Sequence, residues 1–571
     1  MNRTLKWWQS CQVYQVYPKS FLDTTGSGTG DLSGITAKLD YLKTLGTGAV
    51  WLTPVYPSPM VDNGYDIADY EGIDPSYGTM ADMERLIAEA KKRDIRIVMD
   101  LVFNHSSDQH PWFLQSKKDR TNPKADWYIW RDAKPDGSAP TNWRSIFGGS
   151  AWTWCEERQQ YYLHTFAPQQ PDLNWANPDV RQALYHAANF WLDKGVGGFR
   201  IDAIVYIKKP AFVDGQPDSN DGMVDIHAMT ANTTGILDYL HEFKKNVFDG
   251  HDIFTVGEAN GVPPEDLDKW VGDKGVFSML FEFSHMDLQF PGGAEVWCHA
   301  KPWPLTALKK TLSASQAATA ENGWYPIFFE NHDQPRCINH FLPEGADRTL
   351  AAKAMATVLL TLRGTPFIYE GQEIGMANVK WGSIECYNDI SSHGQYKRAL
   401  AEGHTEAMAL DAVHKFSRDN ARTPMQWSRS THAGFTKGLP WLPVEHDRSW
   451  TVEVEAEDEN SVLSYYRHLA KLRHGIEALT VGDYMELLPS NESIYAFRRT
   501  IGAEATVTLV NFTGEETAYD ADIVKGMKLL TDSYPAAAQE DEEPGRLRPY
   551  EAVVYVTPEA EKTFSKEAER A

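Results

Sequence analysis

The sequence predicts an α/β protein: a (β/α)8 barrel with an inserted subdomain after its third strand, followed by a C-terminal antiparallel β domain. Three observations predict it. Short apolar runs alternate with amphipathic stretches, which implies a parallel sheet with right-handed crossovers. There are eight such runs, the strand count of a closed barrel. Four of them end in carboxylates, histidines or an arginine, and barrels of this class place their chemistry at the C-terminal strand ends.

Residues 12–17 read as the first strand, 32–45 as a helix, 48–52 as the second strand, 80–92 as a helix and 95–103 as the third strand. The alternation then stops. Residues 104–174 are rich in Trp, Tyr, Pro, Asp and Gly, lack helical periodicity and are too long for a plain loop, so they read as an inserted domain. A helix at 178–194 restores the pattern and leads into the fourth strand near 197–202. Residues 253–257, 276–281, 326–329 and 366–369 supply the remaining strands. A Gly-, Asp-, Ser- and Arg-rich insertion follows at about 377–440, and a helix at 461–474 closes the barrel. The domains are therefore 1–103 with 175–480 for the barrel, 104–174 for the insertion, and 481–571 for a β-sandwich with period-2 patterning.

Composition narrows the function. At 571 residues the chain exceeds one core. Its 55 basic and 79 acidic residues leave a net charge of −24, which argues against nucleic acid, anionic membrane and polyphosphate partners. The 19 Trp and 25 Tyr offer flat faces for sugar rings, although they also fill large cores. No signal peptide or membrane span is legible, and five scattered cysteines without CxxC spacing fit a reducing compartment, so a cytoplasmic protein is expected. The partner expected is a small-molecule substrate, with the chain a monomer or homodimer.

The stretch 197–204, GGFRIDAI, sets the chemistry. Arg200 and Asp202 lie two apart on one strand and point the same way. A lone Arg-x-Asp is more often a structural ion pair. Here the third strand ends in Asp100 to His105, the fifth in Gly257-Glu258-Ala259-Asn260 and the seventh in Asn331-His332-Asp333. A guanidinium beside Asp202 favours its ionised form, the state a glycosidase nucleophile needs.

These stretches, DLVFNH at 100–105, GFRIDAI at 198–204, GEAN at 257–260 and ENHDQPR at 330–336, resemble the four short motifs of the α-amylase family of glycoside hydrolases. The likeness extends to DNGYDIADY, QPDLNW at 170–175, RGTPFIYEGQEIGM at 363–376 and SRDNARTPMQW at 417–427, and points to the oligo-1,6-glucosidase subgroup. That subgroup also holds α-glucosidases, trehalose-6-phosphate hydrolases and sucrose isomerases. The resemblance implies Asp202 as nucleophile, Glu258 as general acid and then base with a raised pKa, and Asp333 as transition-state stabiliser. It implies His105 and His332 on the terminal glucose, Asp66 with Arg418 closing the pocket, and Tyr65, Phe166 and Gln170 as neighbours. A charged plug of that kind leaves room for one sugar unit, hence exo action on short oligosaccharides.

Members specialised for α-1,6 bonds usually carry Val after the nucleophile. Ala203 here, with Asn260, predicts a broad α-glucosidase leaning to α-1,4 bonds. The loop at 23–31 resembles a calcium loop in which Asp23 and Asp31 remain, while Thr25 and Ser27 replace Asn and Asp. Fewer charged oxygens weaken Ca²⁺ binding, and the chemistry requires no cofactor. The same loop resembles that of trehalose-6-phosphate hydrolases, and Lys208-Lys209 would be the cations available to a phosphorylated substrate. Sucrose isomerisation is a further alternative within the subgroup. A non-catalytic relative, such as the membrane-anchored transporter heavy chains, is disfavoured because Asp202, Glu258 and Asp333 are kept.

Overall fold

The computed structural model describes residues 5–219, 221–272, 274–291, 296–321, 323–535 and 544–568. Eight parallel strands form the barrel: β1 (Gln12–Val16), β2 (Thr47–Leu52), β3 (Arg96–Val102), β4 (Gly198–Asp202), β5 (Phe254–Glu258), β6 (Met279–Phe281), β7 (Pro326–Ile327) and β8 (Thr365–Tyr369). Their ladder runs β6-β5-β4-β3-β2-β1-β8-β7, the ring order of a (β/α)8 barrel. Among the described residues β6 and β7 share no ladder. Side chains close that seam instead, with the Phe281 and Phe328 rings edge-on at 4.9 Å. Trp51 of β2, Phe281 of β6 and Phe367 of β8, none on adjacent strands, pack on one another.

The strands form where the sequence demands close approach. Gly198 opens β4 at φ +151°, and a Cβ there would stand 2.0 Å from the Phe254 carbonyl oxygen of β5. The helix Pro178–Asp193 starts with Pro at its first turn and the Asn177 side chain capping Asp179 N, and it buries Val180, Leu184, Ala187, Ala188 and Trp191 on one face. The helix Met80–Lys91 starts with a Thr79/Asp82 capping box.

Two expectations need correction, and one segment gains structure that its composition left open. Residues 32–45 form two helices, Leu32–Ala37 and Leu39–Thr44. The break is at Lys38 (φ −107°, ψ 6°), whose N–H bonds the Ile35 carbonyl three residues back and so ends the i−4 ladder. The seventh strand is only two residues long, so Asp333 sits on the loop beyond it. The insertion after β8 is not merely loop: it holds helices Ile390–Ala401 and Glu406–Phe416, started by Asp389 and Thr405 caps. Caps, rather than a strong apolar stripe, delimit these helices, and that is why composition concealed them.

The segment after β3 holds the short helix Pro111–Ser116 and an antiparallel sheet of Trp130–Arg131, Gln160–Leu163 and Trp152–Cys155. Its core of Ile129, Trp143, Trp152 and Leu163 also takes Val224 and Ile226 from the loop after β4. That shared core fixes both loops over the strand ends. Toward the C-terminus, strands Asp483–Leu487, Ile494–Ile501, Glu504–Asn511, Ala552–Val556 and Lys528–Asp532 form an antiparallel sheet. One face, with Tyr495, Phe497 and Val510, joins the main core, and the other covers a small core of its own. No helix among the described residues is long and apolar enough to cross a membrane.

Candidate active site

Registry places the first charges. Asp100 of β3 pairs with Arg200 of β4, and Val102 with Asp202, so Asp100, Arg200 and Asp202 share one face at the strand ends. Arg200 Nη1 donates to Asp100 Oδ1 (2.9 Å) and Oδ2 (3.0 Å) and to Asp202 Oδ1 (2.7 Å). Its Nη2 pairs with Glu258 Oε2 at 2.8 Å. One buried guanidinium therefore serves three carboxylates. Burial is the largest influence on Asp202 and pushes its carboxyl up; Arg200 pulls it back, while Glu258, Asp100 and Asp333 push it further up. Arg200 thus does not simply hold Asp202 ionised, as expected from the pair alone. Burial likewise raises Asp100.

Ala203 follows at φ +46°, a left-handed conformation that costs a non-glycine residue energy. The turn aims the Ala203 N–H at Glu258 Oε2, 2.9 Å away. Glu258 is therefore gripped at the end of β5 by a backbone donor and a guanidinium.

Asp333 meets the opposite surroundings. Its N–H donates to Asn331 Oδ1 (2.7 Å), which fixes the turn after β7. Its carboxylate meets Arg422 Nη2 at 2.7 Å, His332 Nε2 at 3.0 Å and Arg418 Nη1 at 3.3 Å. Burial opposes ionisation, but His332, Arg418 and Arg422 together hold this carboxyl well below the usual range. The site thus sets two carboxyls in opposite surroundings, Asp202 pushed up and Asp333 held down.

These groups face a cavity of about 230 Å³. Tyr65, His105, Phe166, Asp202, Ala203, Glu258, Asn260, Asp333 and Arg418 line it, as the sequence leads one to expect. Four expected residues stand behind the wall instead. Arg200 is 2% exposed and acts through its carboxylates. Gln170 is buried, its Nε2 3.1 Å from Asp62 Oδ2 and 3.2 Å from His105 Nε2. His332 is fully buried: Gln15 Nε2 donates to its Nδ1 (2.8 Å), while Nε2 meets Tyr65 Oη (2.6 Å) and Asp333. His332 therefore orients Asp333 and Tyr65.

The fourth is Asp66, and it is a correction. Asp66 does not meet Arg418. It is fully buried, accepting from Ser58 Oγ (2.9 Å), Val61 N (3.0 Å) and Asp62 N (3.1 Å), and burial pushes its carboxyl up to about 6. The residue that meets Arg418 Nη2 is Asp62, at 3.0 Å. Asp389, the cap of the helix Ile390–Ala401, holds the same guanidinium at 2.7 Å. Asp62 and Asp66 sit four apart in VDNGYD, and sequence alone could not say which carboxylate turns outward. Arg422 was also missed, although it follows Arg418 by one helical turn in SRDNAR. Phe147, Tyr206, Phe283 and Ser391 are among the further lining residues, and none carries a motif signature.

The calcium expectation does not fit the loop. Asp23 Oδ1 accepts from Thr25 N, Thr25 Oγ1 and Gly26 N, and Oδ2 from Gly28 N and Thr436 Oγ1. Asp31 accepts from Thr24 N, Thr24 Oγ1 and Gly34 N, capping the helix Leu32–Ala37. Both carboxylates are consumed in closing their own loop, and protein donors occupy the positions a cation would need. Lys209 is likewise engaged away from the cavity. It is buried against Asp172 Oδ2 at 2.6 Å and donates to Tyr206 O at 2.7 Å. Lys208 Nζ lies 5.1 Å from the Tyr239 ring centre.

Residues 15–482 match the alpha amylase catalytic domain family. The chain is 44% identical over 557 residues to an oligo-1,6-glucosidase of Parageobacillus thermoglucosidasius, covering 96% of this chain and 98% of that relative. It is 42% identical to a trehalose-6-phosphate hydrolase of Escherichia coli (strain K12), covering 97% and 99%. The crystal structure of a mutant isomaltulose synthase from Erwinia rhapontici NX5, in complex with sucrose, superposes with a TM-score of 0.92 at 42% identity, covering 98% of this chain and all of that one.

Proposed function

The chain belongs to the α-amylase family of glycoside hydrolases, and within it we propose a retaining, exo-acting α-glucosidase that releases glucose from the non-reducing ends of short α-glucosides. Asp202 attacks the anomeric carbon while Glu258 protonates the departing glycosidic oxygen. The glucosyl ester on Asp202 is then hydrolysed by a water whose proton returns to Glu258. Asp333, kept ionised by the Arg418 and Arg422 guanidinium groups with His332 beside it, faces the positive charge that develops on the ring. Glu258 is held by Arg200 and the Ala203 N–H. Substrate entering between the carboxylates replaces those contacts and draws the site's proton to the leaving oxygen. Asp100 stays with Arg200, Trp51 and Tyr65 and keeps the guanidinium fixed through both steps.

The observation that carries exo action is the Arg418 cation in the cavity wall. Arg418, tied to Asp62, Asp389 and Asp333, blocks passage of a longer chain. A cavity of about 230 Å³ is smaller than the ~300–1,000 Å³ typical of drug-sized ligands, in keeping with one sugar ring. Linkage range is proposed as broad, leaning to α-1,4, on the small side chain at Ala203.

Maltose, isomaltose, sucrose, trehalose 6-phosphate and soluble starch, followed by proton NMR of the first product, test the reading. We expect α-glucose from maltose and isomaltose and no oligosaccharides from starch. A β-anomer, or internal cleavage of starch, would overturn it. Trehalose 6-phosphate hydrolysis is the second reading, favoured by relatives of that name. The cations near the cavity are already paired, Arg418 with Asp62, Asp389 and Asp333, and Lys209 with Asp172. Turnover of trehalose 6-phosphate in preference to maltose would install it.

A further inference from the structure

We propose that the surface bears a transition-metal site, suited to Zn²⁺, formed by His299, Glu402 and His404. His299 ends the 3₁₀ turn Trp297–His299 that follows β6. Glu402 and His404 follow the helix Ile390–Ala401 in the second insertion, on either side of Gly403, whose φ of +92° reverses the chain. His299 Nε2 lies 3.2 Å from Glu402 Oε2 and 3.4 Å from His404 Nε2, and one donor atom from each residue falls within 4.8 Å of the others.

The two distances from His299 Nε2, 3.2 and 3.4 Å, lie near the edge length of a coordination tetrahedron. With Zn–N and Zn–O bonds of about 2.0–2.2 Å, tetrahedral donors stand roughly 3.3–3.5 Å apart. With a proton on His299 Nε2 directed at Glu402, the His404 Nε2 of the Nδ1–H tautomer presents its lone pair to the same point. A cation between them satisfies both imidazole lone pairs and the carboxylate together. Two imidazoles and one carboxylate form a donor set that selects zinc-like ions over calcium or magnesium, and the exposed face leaves the fourth position to water.

The two segments are already held in place. Val296, Ala399 and Ala409 form a small core under the site, flanked by Tyr396 and Leu400. Trp297 N donates to Gln395 Oε1 at 3.1 Å, and the backbone N–H groups of Glu402, Gly403 and His404 cap the helix on Arg398, Leu400 and Ala399. Binding therefore orders side chains alone. Arg398 Nε, 3.6 Å from Glu402 Oε1, orients the carboxylate from outside the donor set. The consequence reaches the sugar pocket along one helix. Its far end carries Asp389, which holds Arg418, and Ser391, which lines the cavity. A bound ion adds a side-chain link between the near end and the segment after β6, beside the Trp297–Gln395 hydrogen bond and the small apolar core.

The full-length protein, stripped with chelator and titrated with ZnCl₂ by calorimetry, tests the site, alongside His299→Ala, His404→Ala and the double variant. The expected result is one tight equivalent with a raised Tm. Each single variant should lose more than the roughly 10–100-fold that outer-shell changes cost, and the double variant should lose the equivalent altogether. Co²⁺ in place of Zn²⁺ should give the intense visible bands of a four-coordinate centre. Either a tight equivalent that survives in the double variant, or no tight equivalent in the native chain, would overturn the proposal.

Discussion

Replacing Asp62 and Asp66 one at a time separates the residue that touches sugar from the one that shapes the loop. Asp62 is 4% exposed and lines the cavity, with Oδ1 on Arg418 and Oδ2 on Gln170. Asp62→Asn keeps the shape and removes the charge. Arg418 retains Asp389 at 2.7 Å and Asp333 at 3.3 Å, so the fold should survive. A hydrogen bond to a charged group is worth about 1.5–3 kcal/mol, and its loss in the transition state lowers kcat/KM by roughly 10–150-fold. Asp66→Asn, by contrast, neutralises a carboxyl that stands behind the cavity wall and that burial pushes up to about 6. It should leave kcat/KM within about threefold, the range of substitutions remote from a site. The assay is kcat/KM on p-nitrophenyl α-glucoside at constant pH, with Tm as the check on folding. If folded Asp66→Asn lost more activity than folded Asp62→Asn, the assignment of Arg418's partner would be wrong.

The same Asp66 gives a pH signature: its folded carboxyl holds a proton more tightly than the unfolded chain does, so the associated stability is full below about pH 4 and lost as pH rises through about 6. The Tm of the native chain relative to Asp66→Asn should therefore improve from pH 7 to pH 5, and a flat difference would refute the raised pKa. Lys209→Met strands Asp172, whose side chain is fully buried, and should cost about 3–5 kcal/mol, read as a fall in the denaturant midpoint. An unchanged midpoint with weakened trehalose 6-phosphate turnover would return Lys209 to substrate binding. Ala203→Val places a β-branched residue at φ +46° and should cost about 1–3 kcal/mol of stability. It should raise the isomaltose-to-maltose ratio of kcat/KM by up to ~1–3 kcal/mol of selectivity, and an unmoved ratio would remove Ala203 from the linkage argument.

What the sequence made legible follows from how each contact is encoded. Asp202, Glu258 and the barrel order could be read because strand periodicity fixes where a side chain points and strand ends converge on one face. Asp333 could be found by its motif but not by its strand, since β7 is two residues long and an Asn331 turn does the placing. Asp62 and Asp66 defeated the reading for a different reason. In an irregular loop, direction is set by which backbone N–H groups need an acceptor, and Asp66 is captured by those of Val61 and Asp62. The same competition decided the 23–31 loop, where Asp23 and Asp31 close their own turns. Carboxylates in loops are claimed first by local donors, and only those left over can serve a ligand. Asp62 is such a remainder: its neighbour satisfies the loop, so its own carboxylate is left to face Arg418 and the cavity.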